Sequence, residues 1–124
     1  MKKKIGVAVL GLGNMGGTHV QGAKASPYVN RIIGYEPDGI KAKKREQELN
    51  IPVTTDLDSI LKDPSINLIC IASPNEFHSL LAIQALKAGK AVFCEKPMAE
   101  TLDKAKEILD AEKETGGFIE FNFE

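Results

Sequence analysis

The stretch from Ile5 to Gly17 reads IGVAVLGLGNMGG, an apolar run that continues into spaced glycines. Gly11, Gly13 and Gly16 fit the spacing G-x-G-x-x-G, in which the first glycine makes a tight turn and the second lets the backbone approach a pyrophosphate. The third lets the helix pack closely on the strand, and the first N–H groups of that helix form an anion site. An ordinary strand-to-helix turn is the alternative, because such turns are common. The predicted cofactor-binding loop consists of Gly11, Leu12, Gly13, Asn14, Met15 and Gly16.

The composition is that of one globular domain, which we expect to span residues 1–124. The formal net charge of -1 gives no electrostatic reason to expect nucleic acid or an anionic membrane as a partner. Lys2 to Lys4 precede an apolar run as in a signal peptide, but glycines interrupt the run and no cleavage site follows, so we expect a cytoplasmic protein. Cys70 and Cys94 are expected to stay reduced, and no Cys/His cluster indicates a metal site.

Outward from the glycines, apolar runs alternate with helical patterns, which indicates a parallel sheet covered on both faces. The predicted strands are Ile5–Leu10, Asn30–Tyr35, Pro52–Thr55, Asn67–Ala72, Ala91–Glu95 and Phe118–Phe123. The predicted helices are Asn14–Ala25, Asp38 to about Asn50, Asp56 to about Asp63, Glu76–Ala88 and Thr101–Gly116. The fold class is therefore α/β, a doubly wound parallel sheet of the Rossmann type, with the strand order 3-2-1-4-5-6.

The helix patterns also predict caps and buried faces. Asp38 and Asp56 are expected to cap the second and third helices, and Gly89 to end the fourth. The second helix is highly charged, with a thin apolar contribution from Ile40, Ala42 and Leu49, and should lie at the sheet edge. The inner face of the fourth helix is predicted to carry Phe77, Leu80, Leu81 and Ala85.

In such a sheet a ligand binds outside the carboxyl ends of the strands, at the switch point between the first and fourth strands. Residues far apart in sequence converge on that edge. Besides the glycine loop, the predicted cofactor-binding residues are Glu36, Ala72, Ser73, Pro74, Asn75, His78, Glu95, Lys96, Pro97 and Asn122.

Glu36 lies 25 residues after Gly11, close to the interval at which this fold places a carboxylate on the adenosine ribose. A carboxylate there accepts from the 2'-hydroxyl and repels a 2'-phosphate, which favours NAD, with NADP as the open alternative. The basic residues that follow can pair with a phosphate if the loop folds back, or can form a solvated helix face. They are Lys41, Lys43, Lys44 and Arg45.

Two longer runs carry a family resemblance: ASPNEFH from Ala72 to His78, and ALKAGKAVFCEKP from Ala85 to Pro97. Together with GLGNMG and with GFIEFN at Gly117–Asn122, they resemble the N-terminal domain of the glucose-fructose oxidoreductase, inositol dehydrogenase and rhizopine catabolism (Gfo/Idh/MocA) oxidoreductases. The resemblance implies a nicotinamide-dependent oxidoreductase acting on sugars, cyclitols and related polyols, or on compounds such as bile pigments and dihydrodiols. It also implies that Lys96 lies beside the nicotinamide and the reacting carbinol, as the catalytic residue.

The residues themselves leave two roles open at Lys96 and at His78. A lysine at the carboxyl end of a strand is a good donor to a substrate oxygen, but it can also pair with Glu95 for structure. His78 either faces the cofactor crevice or bonds to a helix N-terminus. His19 has no partner suggested by the sequence and is expected to be structural.

Members of the family continue into a second α/β domain that binds the substrate, whereas this sequence ends at Glu124. We therefore expect nucleotide binding with little or no turnover, and leave open whether this chain alone is an enzyme. A sugar or polyol substrate is expected for the full-length form, and the exposed nicotinamide end favours a homo-oligomer. The alternatives are a stand-alone nucleotide-binding or redox-sensing module and, less favoured, a methyltransferase, whose chemistry has no use for Glu95-Lys96-Pro97.

Overall fold

The structure is a computed structural model that describes residues 5–72, 78–95, 116 and 119–122, with the backbone alone at 14, 15, 78, 79, 94, 95 and 119–122. Six parallel strands form one sheet in the order β3-β2-β1-β4-β5-β6. The strands are β1 (Ile5–Leu10), β2 (Val29–Tyr35), β3 (Val53–Thr54), β4 (Leu68–Ile71), β5 (Ala91–Glu95) and β6 (Ile119–Asn122). The described helices are α1 (Asn14–Ala25), α2 (Gly39–Leu49), α3 (Leu57–Leu61) and α4 (His78–Lys87). The predicted α/β class and strand order are confirmed.

Element boundaries differ from the predicted ones by a few residues. β2 begins one residue earlier than predicted, at Val29, and β3 is only the pair Val53–Thr54. The predicted helix from Thr101 lies outside the described residues apart from Gly116, which has a φ of +67°. The predicted start of the fourth helix at Glu76 lies outside them as well.

The core lies on both faces of the sheet, because successive residues of β1 point to opposite sides and both sides are covered. Ala8 and Leu10 are fully buried in the cluster that includes α3 and α4, and Val7 and Val9 are buried in the cluster beneath α1 and α2. β1 is therefore the apolar centre of the molecule, and its carboxyl end is fixed in position by neighbours on either side.

The rotation of α4 differs from the prediction. Leu81 and Ala85 are buried as expected, but Leu80 is 55% exposed, and the prediction that it faces inward is wrong. Ala82 and Leu86 complete the buried face instead. Residues three or four apart on a helix lie on the same side, and Ala82 is three residues from Ala85 and four from Leu86. Phe77 lies outside the described residues.

The second helix lies at the sheet edge, as its composition predicts. Ala42 and Leu49 are buried, whereas Ile40 is 84% exposed and adds nothing to the core, contrary to the prediction. α2 is thus attached to the sheet by a narrow strip of its surface.

Two of the three predicted helix caps form as expected. The Asp38 side chain accepts from the N–H groups of Ile40 and Lys41, and Gly89 ends α4 with a φ of +81°. Asp56 stands at the N-cap of α3, but its side chain makes no capping hydrogen bond, and its carbonyl accepts from the hydroxyl of Ser59.

The two cysteines lie on neighbouring strands but are out of register. Cys70 is opposite Phe93, and Cys94 is opposite Ile71. Cys70 is a buried, reduced thiol. Because of this offset of one residue, the two cysteines are not opposite each other, which disfavours a disulfide between the two strands.

Candidate functional site

The carboxyl ends of the parallel strands bring together, at one end of the sheet, those predicted site residues that the structure describes. Gly11 follows β1 and donates its N–H to the carbonyl of Tyr35 at 3.1 Å, which ties the glycine loop to the end of β2. The N–H of Ala72 donates to the carbonyl of Leu10 at 2.8 Å, so the end of β4 is fixed against β1. Glu95 and Asn122 are opposite each other at the ends of β5 and β6.

The remaining predicted site residues are described less fully. The backbone of His78 opens α4. Ser73, Pro74, Asn75, Lys96 and Pro97 lie outside the described residues, so the predicted catalytic lysine does too.

Gly11 and Gly16 are required by the backbone geometry of the loop. Gly11 has a φ of +94°, a conformation that side chains rarely adopt. A Cβ added to Gly16 would stand 2.0 Å from the carbonyl oxygen of Gly11. Any larger residue at position 16 would therefore push α1 away from the end of β1.

Gly13 is different, because nothing in the described chain lies within 4 Å of where its Cβ would be. It occupies the N-cap of α1 with φ -75° and ψ -158°, and no side chain caps that helix end. Open space above a helix N-terminus lets the phosphates of a dinucleotide approach the backbone closely. The loop therefore fits the diphosphate of NAD, in a space that a side chain at position 13 would fill.

Leu12 contributes its backbone to the loop, while its side chain is buried in the core beneath α1 and α2. Its methyl carbon Cδ1 lies 2.8 Å from where a Cβ on Gly34 would stand. Gly34 in β2 thus leaves room for Leu12, a role that the sequence reading missed. No local signal reveals it, since the contact joins the loop after β1 to β2.

Glu36 is fixed at the carboxyl end of β2. Its N–H donates to the carbonyl of Thr54 at 3.1 Å, and its Oε2 accepts from the N–H of Asp38 at 3.0 Å. No hydrogen bond from the described residues is recorded to the other carboxylate oxygen, Oε1, which could accept one from a hydroxyl. A held carboxylate beside the glycine loop is the arrangement that binds an adenosine ribose.

Arg45 reaches from α2 to the glycine loop, which the sequence reading did not predict. Its Nη2 donates to the carbonyl of Gly13 at 3.4 Å, and its Nη1 to Oε1 of Glu48 at 3.3 Å. A Cβ on Gly17 would stand 3.0 Å from the same Nη2, so the lack of a side chain at position 17 leaves room for the guanidinium. The neighbouring Lys41, Lys43 and Lys44 are exposed, as the solvated-face interpretation expects.

His19 of α1, expected to be structural, contacts Phe93 of β5 on the face of the sheet that α1 covers. The two ring centroids lie 5.6 Å apart with an interplanar angle of 73°, an edge-to-face pair. The contact packs α1 against β5. Sequence spacing gives no hint of it.

Within the ranges that the structure describes, no group of three or more His, Cys, Asp or Glu residues is placed to hold a metal ion. No helix in the same ranges is long and apolar enough to span a bilayer.

The doubly wound sheet, the glycine loop at the carboxyl end of β1 and the acid at the end of β2 together define a dinucleotide-binding Rossmann domain. The chain belongs to the oxidoreductase family GFO_IDH_MocA, described as having an NAD-binding Rossmann fold, whose model matches residues 5–123. The resemblance seen in the sequence is therefore confirmed.

Relatives of this chain include sugar and cyclitol dehydrogenases. The chain is 31% identical to levoglucosan dehydrogenase of Pseudarthrobacter phenanthrenivorans over 132 residues, covering 98% of this chain and 34% of that protein. It is 31% identical to scyllo-inositol 2-dehydrogenase (NAD(+)) of Bacillus subtilis over 125 residues, covering 99% of this chain and 36% of that protein. The crystal structure of GenD2 from gentamicin A biosynthesis in complex with NAD matches with a TM-score of 0.89 at 30% identity, covering 98% of this chain and 35% of that one. The chain thus spans about a third of the length of the curated relatives it matches.

Proposed function

We propose that this chain is the cofactor-binding domain of an oxidoreductase that transfers hydride between NAD(P) and the carbinol of a sugar, cyclitol or similar polyol. The observation that carries the proposal is the open Gly13 in a loop that Gly11 ties to the end of β2, where the carboxylate of Glu36 is fixed. The substrate class is supported by the levoglucosan and scyllo-inositol dehydrogenases among the relatives.

Each end of the site has its own task in this proposal. The loop Gly11–Gly16 holds the diphosphate through backbone N–H groups, and Glu36 accepts the adenosine ribose hydroxyls. We assign the middle of the cofactor to the residues that follow β4, Ala72–Asn75 with His78. We assign the nicotinamide end to Glu95, Lys96, Pro97 and Asn122.

The chemistry at the nicotinamide end is divided between cofactor and protein. Bound NAD supplies the hydride acceptor. Lys96, as the catalytic residue, donates a hydrogen bond to the substrate oxygen and stabilises its developing charge. This role is supported by the resemblance around Glu95-Lys96-Pro97 and by the position of β5, which ends at Glu95 on the edge where β1 and β4 also end.

We further propose that this chain alone binds nucleotide with little or no turnover. In the relatives about two thirds of the length has no counterpart in this chain. Positioning of a substrate and proton transfer need several groups that converge on the reacting carbon, and this proposal assigns the remaining ones to that additional length. A homo-oligomer is part of the same proposal, because any apolar surface exposed at the nicotinamide end would favour self-association.

Calorimetric titration of NAD and NADP, with Glu36→Ala as the test variant, examines the proposed site. We expect Glu36→Ala to weaken NAD by roughly 10–100-fold, the value of a hydrogen bond to a charged group. NADP should weaken much less, since removing the carboxylate also removes its repulsion of the 2'-phosphate.

Asp58→Ala is the matched control, because it removes an exposed acid from the first turn of α3. An equal loss for NAD and NADP in Glu36→Ala would remove Glu36 from the site. Binding of S-adenosylmethionine in place of both dinucleotides would instead support the methyltransferase alternative.

A further inference from the structure

Arg45 differs from the other basic residues of α2 in where its side chain lies. It is 25% exposed, whereas Lys41, Lys43 and Lys44 are exposed to solvent. Its Nη2 donates at 3.4 Å to the carbonyl of Gly13, the N-cap residue of α1. A cation of α2 is therefore held against the first turn of the helix that follows the glycine loop.

The guanidinium approaches this turn from the side that carries the Gly13 carbonyl. The same carbonyl accepts from the N–H of Gly17 at 2.9 Å, so it points along α1, away from the start of the helix. Because the C=O and N–H of a trans peptide point in opposite directions, the N–H of Asn14 points toward the start. No described atom lies within 4 Å of where a Cβ on Gly13 would be, so Arg45 leaves the open space free for a ligand.

The charged groups around Arg45 do not cancel its charge. Oε1 of Glu48 accepts from its Nη1 at 3.3 Å, but this acid is 46% exposed, and water screens its charge more than that of Arg45. Glu46 is engaged elsewhere, since its Oε2 accepts from the N–H of Val53 at 2.8 Å. Lys41 lies one turn before Arg45 on the same side of α2 and adds a solvated positive charge. The guanidinium therefore attracts an anion bound at the glycine loop.

Fold stability alone does not explain a guanidinium at this position. The Nε of Arg45 is buried and has no hydrogen-bond partner among the described residues. A buried donor without a partner costs stability, and an apolar side chain of similar length would avoid that cost. The charge is therefore a better explanation for Arg45 than the packing of its side chain.

We propose that Arg45 supplies positive charge to the diphosphate of the cofactor from the carbonyl side of the glycine loop. It acts across the loop and through the peptide of Gly13, whose carbonyl it holds and polarises. The inference rests on the placement of the diphosphate at Gly11–Gly16 in the proposed function. It adds a side chain from α2 to a site otherwise built from the backbone.

Variants at position 45 separate charge from packing. Arg45→Met keeps an unbranched apolar stem and removes the charge, whereas Arg45→Lys keeps the charge. Lys44→Met is the matched control, because it removes an equal charge from the exposed residue next to Arg45. Lys41→Met tests the base one turn earlier. Calorimetry at low salt with NAD, ADP and adenosine distinguishes contacts to the diphosphate from contacts to the adenosine.

We expect Arg45→Met to weaken NAD and ADP by about fivefold or more and to leave adenosine within about twofold. Arg45→Lys should bind NAD within about twofold of the unaltered chain, because the charge is kept. Lys41→Met and Lys44→Met should also stay within about twofold, since water screens exposed side chains. Added salt should reduce the loss in Arg45→Met.

Urea unfolding without ligand provides a readout for a purely structural role. The unfolding midpoint of Arg45→Met should equal that of the unaltered chain, because the variant keeps the stem and removes the Nε–H that lacks a described partner. If the methionine variant does not fold, Arg45→Gln, which is uncharged but polar, carries the test.

Unchanged NAD and ADP affinity in folded Arg45→Met would overturn the inference, as would an equal loss for adenosine. An equal loss in Lys44→Met, or an Arg45→Lys variant as weak as Arg45→Met, would overturn it too. In each of these cases the unaltered chain still binds NAD and the proposed function stands. An unaltered chain that binds neither NAD nor ADP would contradict the proposed function and this inference together.

Discussion

At the scale of single residues, the glycines of the loop have different physical reasons for being there. Gly11 adopts a positive φ, and Gly16 faces a backbone oxygen at a distance no Cβ can tolerate. Gly13 is constrained by neither, since its φ is negative and its surroundings in the described chain are open. Its small size is therefore not needed by the contacts of the described chain, and we attribute it to the diphosphate of the proposed cofactor.

Gly13→Val is expected to abolish NAD binding, or to weaken it by at least about tenfold, while the chain stays folded. The valine side chain would extend into the open space above the N-terminus of α1 and keep the phosphates away from the backbone. Urea unfolding and NAD calorimetry on the same sample measure the two effects. A small loss of stability is expected, because valine is a poorer N-cap than glycine.

Gly22→Val is the control, because it places the same side chain near the other end of α1, where no described residue lies within 4 Å of the added Cβ. It should bind NAD like the unaltered chain. Retained NAD affinity in folded Gly13→Val would remove the loop from the phosphate site.

At the scale of elements, α1 begins at the glycine loop and continues as an ordinary surface helix. Its first turn holds the loop, Arg45 contacts it from α2, and His19 packs on Phe93 of β5. Its last turn carries Gly22, which is exposed and has no positive φ. A Cβ added there would meet nothing within 4 Å in the described part of the chain. A glycine inside a helix lowers stability relative to alanine when no contact requires it.

Gly22→Ala is therefore expected to raise the free energy of unfolding by about 0.5–1 kcal/mol. The comparison is Gly16→Ala on the same helix, which should lower it, because the new Cβ would stand 2.0 Å from the carbonyl oxygen of Gly11. Urea unfolding followed by circular dichroism measures both. A destabilised Gly22→Ala would show that the end of α1 makes contacts that the described chain lacks.

The amino-terminal ends of β4 and β5 are held together by contacts that the sequence patterns do not indicate. Lys90, just before β5, is buried, and its Nζ donates to the carbonyls of Asp63 and Ile66 at 2.6 and 2.7 Å. Hydrogen bonds from Ser65, together with Arg31, hold the pKa of Asp63 below its ordinary value. These contacts fix the start of β4 and β5, and with it the position of their functional ends.

At the scale of the whole molecule, the described strands end together at the predicted cofactor site, and some apolar side chains of β4 and β5 remain partly exposed. Leu68 and Phe93 are only partly buried on the α1 side of the sheet. β6 has no strand neighbour on its outer side within the described chain. Partly exposed apolar side chains favour association.

The 124-residue chain is therefore expected to bind NAD, to form dimers or larger assemblies, and to oxidise polyols negligibly. Scyllo-inositol and levoglucosan are suitable substrates for the test, because two relatives of this chain are named as dehydrogenases of these compounds. Absorbance of NADH at saturating NAD measures turnover, and sedimentation velocity measures assembly. Robust NAD reduction with either probe would contradict the turnover part, and a strict monomer at high concentration would contradict the assembly part.

Local patterns in the sequence were enough to predict the fold class of this protein and the order of its strands. The alternation of apolar runs and helical segments predicted the sheet and its strand order, and the spacing of Gly11, Gly13 and Gly16 predicted the turn into α1. Asp38 was recognised as a cap because capping joins residues two and three apart. Each of these features depends on residues that are close in the chain or on general rules of chain connection.

Only the tertiary structure decided which side chains meet across elements. It turned Leu80 outward, placed Leu12 over Gly34, brought Arg45 to the carbonyl of Gly13 and paired His19 with Phe93. These contacts depend on strand register and on the rotation of each helix about its axis, which are set when the elements pack together. A pattern of apolar positions determines that a helix has an inner face, but a rotation of one residue changes which side chains lie on it.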